Sequence, residues 1–468
     1  MFFGRTHELR ALEQLYESEH FEFAVVYGRR RVGKTALLNE FIREKKAIYF
    51  TGVESSSAQN LENLSRCIME YISDLSWAVT FPSFEKALDT VFRLALEDRL
   101  ILVIDEYPYV ARACASLAST LQQLIDRYKD SSRLMLILCG SSMSYMEDHV
   151  LAYKAPLYGR RTAQFKILPF DFADASNCFC NFSNEDMALI YGITGGTPQY
   201  LLQMKDSLSV EENVRRTFLN PNSFLFEEPE NLMKQEMREP ALYNALITTI
   251  AGGAVRLSEI STKSGVPGSL CSSHLKSLIS LGLIQKETPY GEKNSKKSIY
   301  KITDNMFRFW YRFIPANQSV IARGASDVAW NYIKPQLPDY MGSIFEDICK
   351  EYLWQLLLKG NCPIQFREIG RWWGTNPVSR KQAEIDIMGE QDKNTALFAE
   401  CKWTNAKADA AILQTLEDRS RIFHYQNVHL FLFSKSGFTK ECQEAARAAG
   451  NVSLVTLEEI MVLLKDNR

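Results

Sequence analysis

A chain of 468 residues is too long for one hydrophobic core and predicts about three domains at roughly 150 residues each. Its 54 Lys and Arg against 56 Asp and Glu, a formal net charge of −2, exclude a global electrostatic pull toward nucleic acid or acidic lipid, so any such binding rests on local patches. The ten cysteines show no repeated C-x-x-C pair, and Cys178 and Cys180 lack partners at zinc-ligand spacing; they read as free thiols of a reducing cytoplasm. The N-terminus lacks a basic region followed by a long apolar one, and the longest apolar runs, near Leu100 and Leu134, are strand-sized. This predicts a cytoplasmic protein with no membrane span.

The first predicted strand, Phe23 to Tyr27, runs into Gly28-Arg29-Arg30-Arg31-Val32-Gly33-Lys34-Thr35, a match to the phosphate-cradling pattern G-x-x-x-x-G-K-[ST]. Glycines let backbone N–H groups turn inward on phosphates, the Lys34 ammonium faces the outer phosphates, and the Thr35 hydroxyl is a magnesium ligand. A helix opening at Gly33 adds its positive N-terminal end. ATP and Mg2+ are the ligands this loop predicts. A strand at Ala47 to Thr51 and two helical stretches follow. Then comes Leu100 to Ile104, a continuous apolar run that reads as a buried parallel strand ending in Asp105 and Glu106. Asp105 is placed to hold magnesium through its waters, and Glu106 to orient or deprotonate the attacking water. A further strand, Arg133 to Cys139, ends in Gly140-Ser141-Ser142; Ser141 is a candidate contact to the γ-phosphate or its water, or else a helix cap. Strands alternating with helices predict an α/β domain with a parallel sheet over residues 1–170. Tyr158-Gly159-Arg160-Arg161 and Gly195-Gly196-Thr197-Pro198 read as parts of a lid, with the helical lid itself over 171–235. Arg160 and Arg161 are either arginines that reach the γ-phosphate from the lid or a neighbouring subunit, or a surface pair.

Together, Phe3-Gly4-Arg5 with Glu8-Leu9, the loop 28–35, Ile104-Asp105-Glu106, Leu157 to Arg161 and Gly195 to Pro198 resemble the archaeal-type P-loop NTPases of the signal-transduction (STAND) branch of the AAA-like class. The resemblance covers roughly the first half of the chain. It implies that Gly4, Arg5 and Pro198 lie near the nucleotide, with a helical lid closing over the base.

From Glu239 to Ile302 the pattern becomes three short helices and a hairpin, over a segment 236–315 that resembles a winged helix-turn-helix. Ser269, Ser272, Ser273, His274 and Lys276 are expected to be exposed on the recognition helix, and Lys293, Lys296 and Lys297 to form a basic wing. DNA binding and a spacer or protein-contact role both fit such a module. The aromatic run Phe307 to Phe313 reads as packed core rather than a base-stacking surface.

A linker at 316–335, with a hinge at Pro335 and Pro338, introduces the last segment, 336–468. It reads as a helix carrying Glu346, strands Gln382 to Met388 and Thr395 to Trp403, a helix Asp409 to Phe423 and a strand Val428 to Phe433. On a strand, Glu400 and Lys402 share one face, and a hairpin brings Asp386 beside Glu400. Clustered carboxylates suit magnesium, and an adjacent lysine assists an attacking water. The alternative is an amphipathic strand with a surface ion pair. The order Glu346, Asp386, Glu400-Cys401-Lys402 resembles the α/β PD-(D/E)XK nuclease fold, and Phe431 to Thr439 is similar to its Mrr-like members, although no proline precedes Asp386. By that resemblance Asp386 and Glu400 ligate metal, Lys402 assists the water and Glu346 completes the shell. The whole predicts an ATP-binding, ATP-hydrolysing protein whose nucleotide state gates metal-dependent cleavage of DNA by the last domain, with homo-oligomers as a further possibility. The competing reading is a non-catalytic, ATP-switched DNA-binding regulator with an inactive nuclease-like domain; a small-molecule kinase is disfavoured for want of an acceptor pocket.

Overall fold

The apolar runs of the N-terminal part assemble into one sheet of five strands: β1 (Glu22–Tyr27), β2 (Ala47–Thr51), β3 (Leu100–Asp105), β4 (Leu134–Gly140) and β5 (Ala163–Lys166), in the order β2-β3-β4-β1-β5. All pair in parallel. The computed structural model describes residues 2–72, 80–292, 297–377 and 380–465, and divides into two compact units, 1–169 with 197–199, and 170–196 with 200–468.

In the first unit, β1, β3 and β4 read as unbroken apolar runs because helices cover both faces. Ala24, Val26, Val103 and Ile137 pack with Leu37, Leu38 and Phe41 of the helix Lys34–Ile42 on one face. Phe23, Val25, Leu102 and Leu136 pack with Leu88, Leu121 and Leu124 on the other. Strand β5 was not anticipated, and it alters the reading of its neighbours. Tyr158 to Arg161 lie in the turns just before it, within the first unit. The physical reason is that Ala163–Lys166 pairs with β1, which pins this segment to the sheet edge.

The second unit carries the segments expected as lid, winged helix, linker and nuclease-like domain; one apolar cluster runs from Phe170 to Leu464, and a second, separate one holds Ile385, Phe398, Leu413 and Leu432. The helices Pro240–Ala251, Leu257–Ser264 and Gly268–Ser280 precede an antiparallel hairpin of β6 (Ile284–Glu287) and β7 (Ile299–Ile302). Residues 316–335, expected as a linker, are mostly helix. Asn305–Ala322 runs through Pro315, Ser326–Ile333 follows, and Pro338 sits in the first turn of Leu337–Leu358, where a missing N–H costs nothing. Phe307, Phe309, Trp310, Tyr311 and Phe313 are all buried. A second sheet joins β8 (Ile369–Thr375), β9 (Gln382–Asp392), β10 (Thr395–Lys402), β11 (Asn427–Ser434) and β12 (Val452–Thr456) in the order β12-β11-β10-β9-β8. Strands β8, β9 and β10 are antiparallel, whereas β10, β11 and β12 are parallel. The helix Leu337–Leu358 buries Ile344, Phe345 and Ile348 with Leu397, Ala399 and Phe431 of this sheet.

Candidate functional site

The loop between β1 and the helix Lys34–Ile42 owes its path to tight backbone packing. A Cβ on Gly28 would stand 2.2 Å from the Ile167 carbonyl oxygen, and Gly33 has φ +91°, a conformation that only glycine adopts cheaply. Val32 is fully buried and Arg31 takes a left-handed φ of 74°. Inside this curl the Lys34 ammonium donates to the carbonyls of Gly28 (2.9 Å) and Arg29 (3.1 Å). Burial holds Lys34 below the usual lysine range against the opposite pull of Cys139, Glu106 and Asp105. A buried cation whose hydrogen bonds, among the described residues, go to neutral carbonyls fits a phosphate.

Because β4 lies between β1 and β3, Ser141 comes to stand between the loop and the acids. Asp105 is nearly saturated: its Oδ2 accepts from Thr35 Oγ1 (3.0 Å) and from the Tyr49 hydroxyl (2.7 Å), and its Oδ1 from the Glu106 N–H (2.9 Å). Glu106 adopts a left-handed backbone, φ 49°, a sparsely populated state for a non-glycine residue. Its Oε2 accepts from Ser141 Oγ at 2.8 Å and from the Ser141 N–H at 3.3 Å. The structure therefore places Ser141 on Glu106. Thr35 and Asp105 are the pair that would hold magnesium, which when bound neutralises phosphate charge.

Arg5, buried, with Gly4 before it, donates to the Val32 carbonyl (3.0 Å) and to that of Leu168, and pairs with Glu8 (3.0 Å). Arg29 donates to Thr197 Oγ1 (3.2 Å), and the Pro198 ring lies 3.6 Å from where a Gly33 Cβ would stand, so the Thr197-Pro198 turn rests on the loop. Arg30 donates to the Tyr109 hydroxyl (2.8 Å). Arg160 is ion-paired with Asp126 (2.7 Å), and Arg161 lies 5.8 Å from the Tyr158 ring centre; the structure thus engages both arginines locally rather than on the loop. Tyr49, Tyr109 and Thr197 complete the surroundings. Of these only Thr197 had a sequence signal, the Gly-Gly-Thr-Pro turn.

In the second unit, Ile387 pairs with Ala399 across β9 and β10, which sets Asp386 near Glu400. Asp386 Oδ2 accepts from the Cys401 N–H at 2.8 Å. Burial, then the charges of Glu400 and Glu346, push the Asp386 carboxyl up to about 7. Glu346 is buried, with Oε2 lacking a hydrogen-bond partner among the described residues, and its carboxyl is raised by burial. Glu400 gives one oxygen to Lys402 Nζ (2.6 Å) and the other to Arg419 (2.9 Å). Burial lowers the Lys402 ammonium, but Glu400 and then Asp386 raise it on balance. The four expected residues thus converge. Among the described residues no group of three or more His, Cys, Asp or Glu is arranged as a ready metal site, and both Glu400 oxygens already face cations. The unpartnered Glu346 oxygen fits a divalent cation, Asp386 fits one on losing its proton, and Glu400 only after exchanging a partner. Arg419 on the helix Ala410–Ser420, and Arg371 at the β8 bulge, were not anticipated; Arg371 Nε donates to Glu384 at 2.7 Å.

The hairpin module also departs from expectation. Ser269, Ser273 and Lys276 are exposed and Ser272 is half-buried, but His274 is buried and stacks on Tyr243 (4.6 Å between centroids, 13° between planes). It faces inward because position 274 lies one turn from buried Cys271 and Leu278. Lys293 and Lys296 lie outside the described residues, and Lys297 pairs with Glu292 at 2.9 Å. The hairpin leans on the sheet: the Tyr290 N–H donates to the Arg371 carbonyl (2.9 Å) and Trp373 Nε1 to that of Lys297 (3.2 Å). Among the described residues no helix is long and apolar enough to cross a membrane.

Comparison with known proteins gives these arrangements a family. Residues 2–204 match the model for an ATPase domain predominantly from Archaea, and residues 310–413 match a model described as Archaea bacterial proteins of unknown function. The uncharacterized protein MJECL04 of Methanocaldococcus jannaschii is 35% identical over 409 residues, 87% of this chain and 88% of that protein. The uncharacterized ATP-binding protein MJ0423 of the same organism is 44% identical over 46 residues, 10% of this chain and 78% of that protein. Among solved structures, the Walker-type ATPase PABY2304 of Pyrococcus abyssi is similar at 21% identity, with 66% of this chain and 96% of that chain covered and a TM-score of 0.49. The ORC2 protein of Aeropyrum pernix is similar at 15% identity, 68% and 94% coverage and a TM-score of 0.42. The chain belongs to the family of MJECL04, and its N-terminal part is an ATPase domain of the type found predominantly in Archaea.

Proposed function

We propose that this protein is a magnesium-dependent ATPase that acts on DNA through its second unit. The observation that carries the ATPase reading at residue level is the bond between Thr35 and Asp105 beside the buried Lys34. It brings a magnesium ligand, a carboxylate for the metal's waters and a phosphate-binding cation into one place, with Glu106 held by Ser141 as the group that orients water. Gly4, Arg5 and Pro198 are proposed to border the nucleotide, and Arg160 and Arg161 to reach it only from another subunit of an oligomer. The DNA reading is supported by the three-helix-and-hairpin module, a winged helix on this proposal, with Ser269, Ser273 and Lys276 exposed on one helix.

For the C-terminal sheet we propose a PD-(D/E)XK-type site that cleaves a phosphodiester, with Asp386 and Glu400 as metal ligands, Glu346 beside them and Lys402 assisting the water. Its support is the convergence of these four side chains from a helix and two strands. One observation favours the second reading, a non-catalytic ATP-switched regulator: Glu400 is already neutralised by Lys402 and Arg419. Supercoiled, linear and single-stranded DNA incubated with Mg2+ or Mn2+, with and without ATP, separates the two. Cleavage that Asp386→Ala abolishes while ATP hydrolysis persists is the expected result. Absence of cleavage on every form, with nucleotide-dependent DNA binding retained, establishes the regulator instead.

A further inference from the structure

We propose that Tyr49 is a positioning residue of the nucleotide site, fixing the one carboxylate that is to hold magnesium; this rests on the ATPase reading above. Its hydroxyl donates to Asp105 Oδ2 at 2.7 Å, the same oxygen that Thr35 Oγ1 reaches at 3.0 Å. A carboxylate offers about four lone-pair sites. Tyr49 and Thr35 take both on Oδ2 and the Glu106 N–H takes one on Oδ1, while the buried Cys139 thiol also hydrogen-bonds this carboxylate, so at most one direction on Oδ1 remains for a metal-bound water. The Thr35 oxygen stays available to the metal while its proton rests on Asp105.

The phenol is held there by strand geometry. Tyr49 pairs with Val103, and Asp105 follows on the same face two residues on. Ile48 and Phe50, on the opposite face, are buried in the core and anchor β2. The end of the strand is tied down by the Gly52 N–H to the Asp105 carbonyl at 2.8 Å, and Gly52 is packed so closely that a Cβ would stand 2.4 Å from Val110 Cγ2. Strand β2 can neither slide nor lift without breaking this packing, so Tyr49 is a fixed donor and Asp105 cannot turn to present both oxygens. The consequence is a site built for magnesium, which keeps its waters and demands regular geometry, and against a bidentate carboxylate grip that suits calcium.

The test is Tyr49→Phe in the full chain, read by the affinity of a fluorescent ATP analogue in EDTA and across titrations of Mg2+ and Ca2+. The variant is expected to bind the analogue in EDTA as the wild type does, to need about tenfold more Mg2+ for half its effect, and to discriminate less between Mg2+ and Ca2+. Thermal melting without nucleotide checks that the fold is kept. An unchanged Mg2+ midpoint and unchanged preference overturn the role of Tyr49, and so does an equal loss of affinity in EDTA, which is the mark of a structural residue. A wild type that binds the analogue with no Mg2+ effect overturns the magnesium reading itself, and with it this role.

Discussion

At the loop 28–35, Asp105 and Glu106 are held by hydroxyls and backbone N–H groups, whereas at the C-terminal sheet Glu400 is held by two cations and Glu346 keeps a buried oxygen without a partner among the described residues. Hydroxyls orient a carboxylate without cancelling its charge. The acids of the first unit therefore remain attractive to a metal ion and its waters. A lysine and an arginine orient Glu400 equally well but neutralise it, so a metal has to displace a cation. The two sites share a composition of acids and lysine, and differ in how much must be undone before a ligand enters.

Four substitutions test and extend that contrast. The largest effect is expected from Lys34→Ala, which removes the buried cation of the loop: ATP hydrolysis should fall by about a hundredfold or more in a phosphate-release assay. A loss of only a few-fold would mean that the carbonyl-bound lysine is a structural plug. Next, Arg419→Met strips one of the two cations from Glu400 and should lower stability by about 1–2 kcal/mol in urea unfolding, since the partly exposed arginine leaves Lys402 behind. Ser141→Ala, the matching loss of a hydroxyl from Glu106, should cost less stability and chiefly slow hydrolysis; equal stability costs would erase the distinction drawn between the sites. The smallest effect concerns an acid held in a third way. Glu351 accepts the N–H groups of Phe172 and Ala173, yet burial and then Asp171 push its carboxyl up to about 8. A carboxyl raised on folding keeps its proton in the native state, so its contribution to stability is complete below its ordinary value near 4.5 and is lost as pH rises toward 8. Glu351→Gln should flatten the decline in stability between pH 5 and pH 8, and a slope identical to wild type would show that another group sets it.

Much of the first unit was legible because its chemistry is contiguous. Gly28 to Thr35 form one turn, and the run Leu100 to Asp105 carries its own apolar signature of a strand buried on both faces. Strand β5 is hidden in the sequence for the converse reason. Ala163-Gln164-Phe165-Lys166 is an edge strand half open to solvent and has no apolar run. In the second unit the spacing Glu346, Asp386, Glu400, Lys402 identified residues that do converge, but not their partners. Arg419 and Arg371 look like any surface arginine until the sheet brings them in. His274 is a different case: helical spacing from Cys271 and Leu278 marks it as an inward position, whereas its polarity suggests exposure.

The sequence by itself determined what short-range rules control: the phosphate loop, the strand that ends in two acids, and the acid and lysine that share one face of β10, because neighbours in the chain are neighbours in space over a few residues. Only the tertiary structure decided which groups hold those acids. The order β2-β3-β4-β1-β5 brings Ser141 and Tyr49 to Glu106 and Asp105, and the packing of the helix Ala410–Ser420 near β10 delivers Arg419 to Glu400. Strand order and helix packing are set by how apolar faces are buried over the whole unit. The residues that tune the charge of each site therefore leave no local pattern to read.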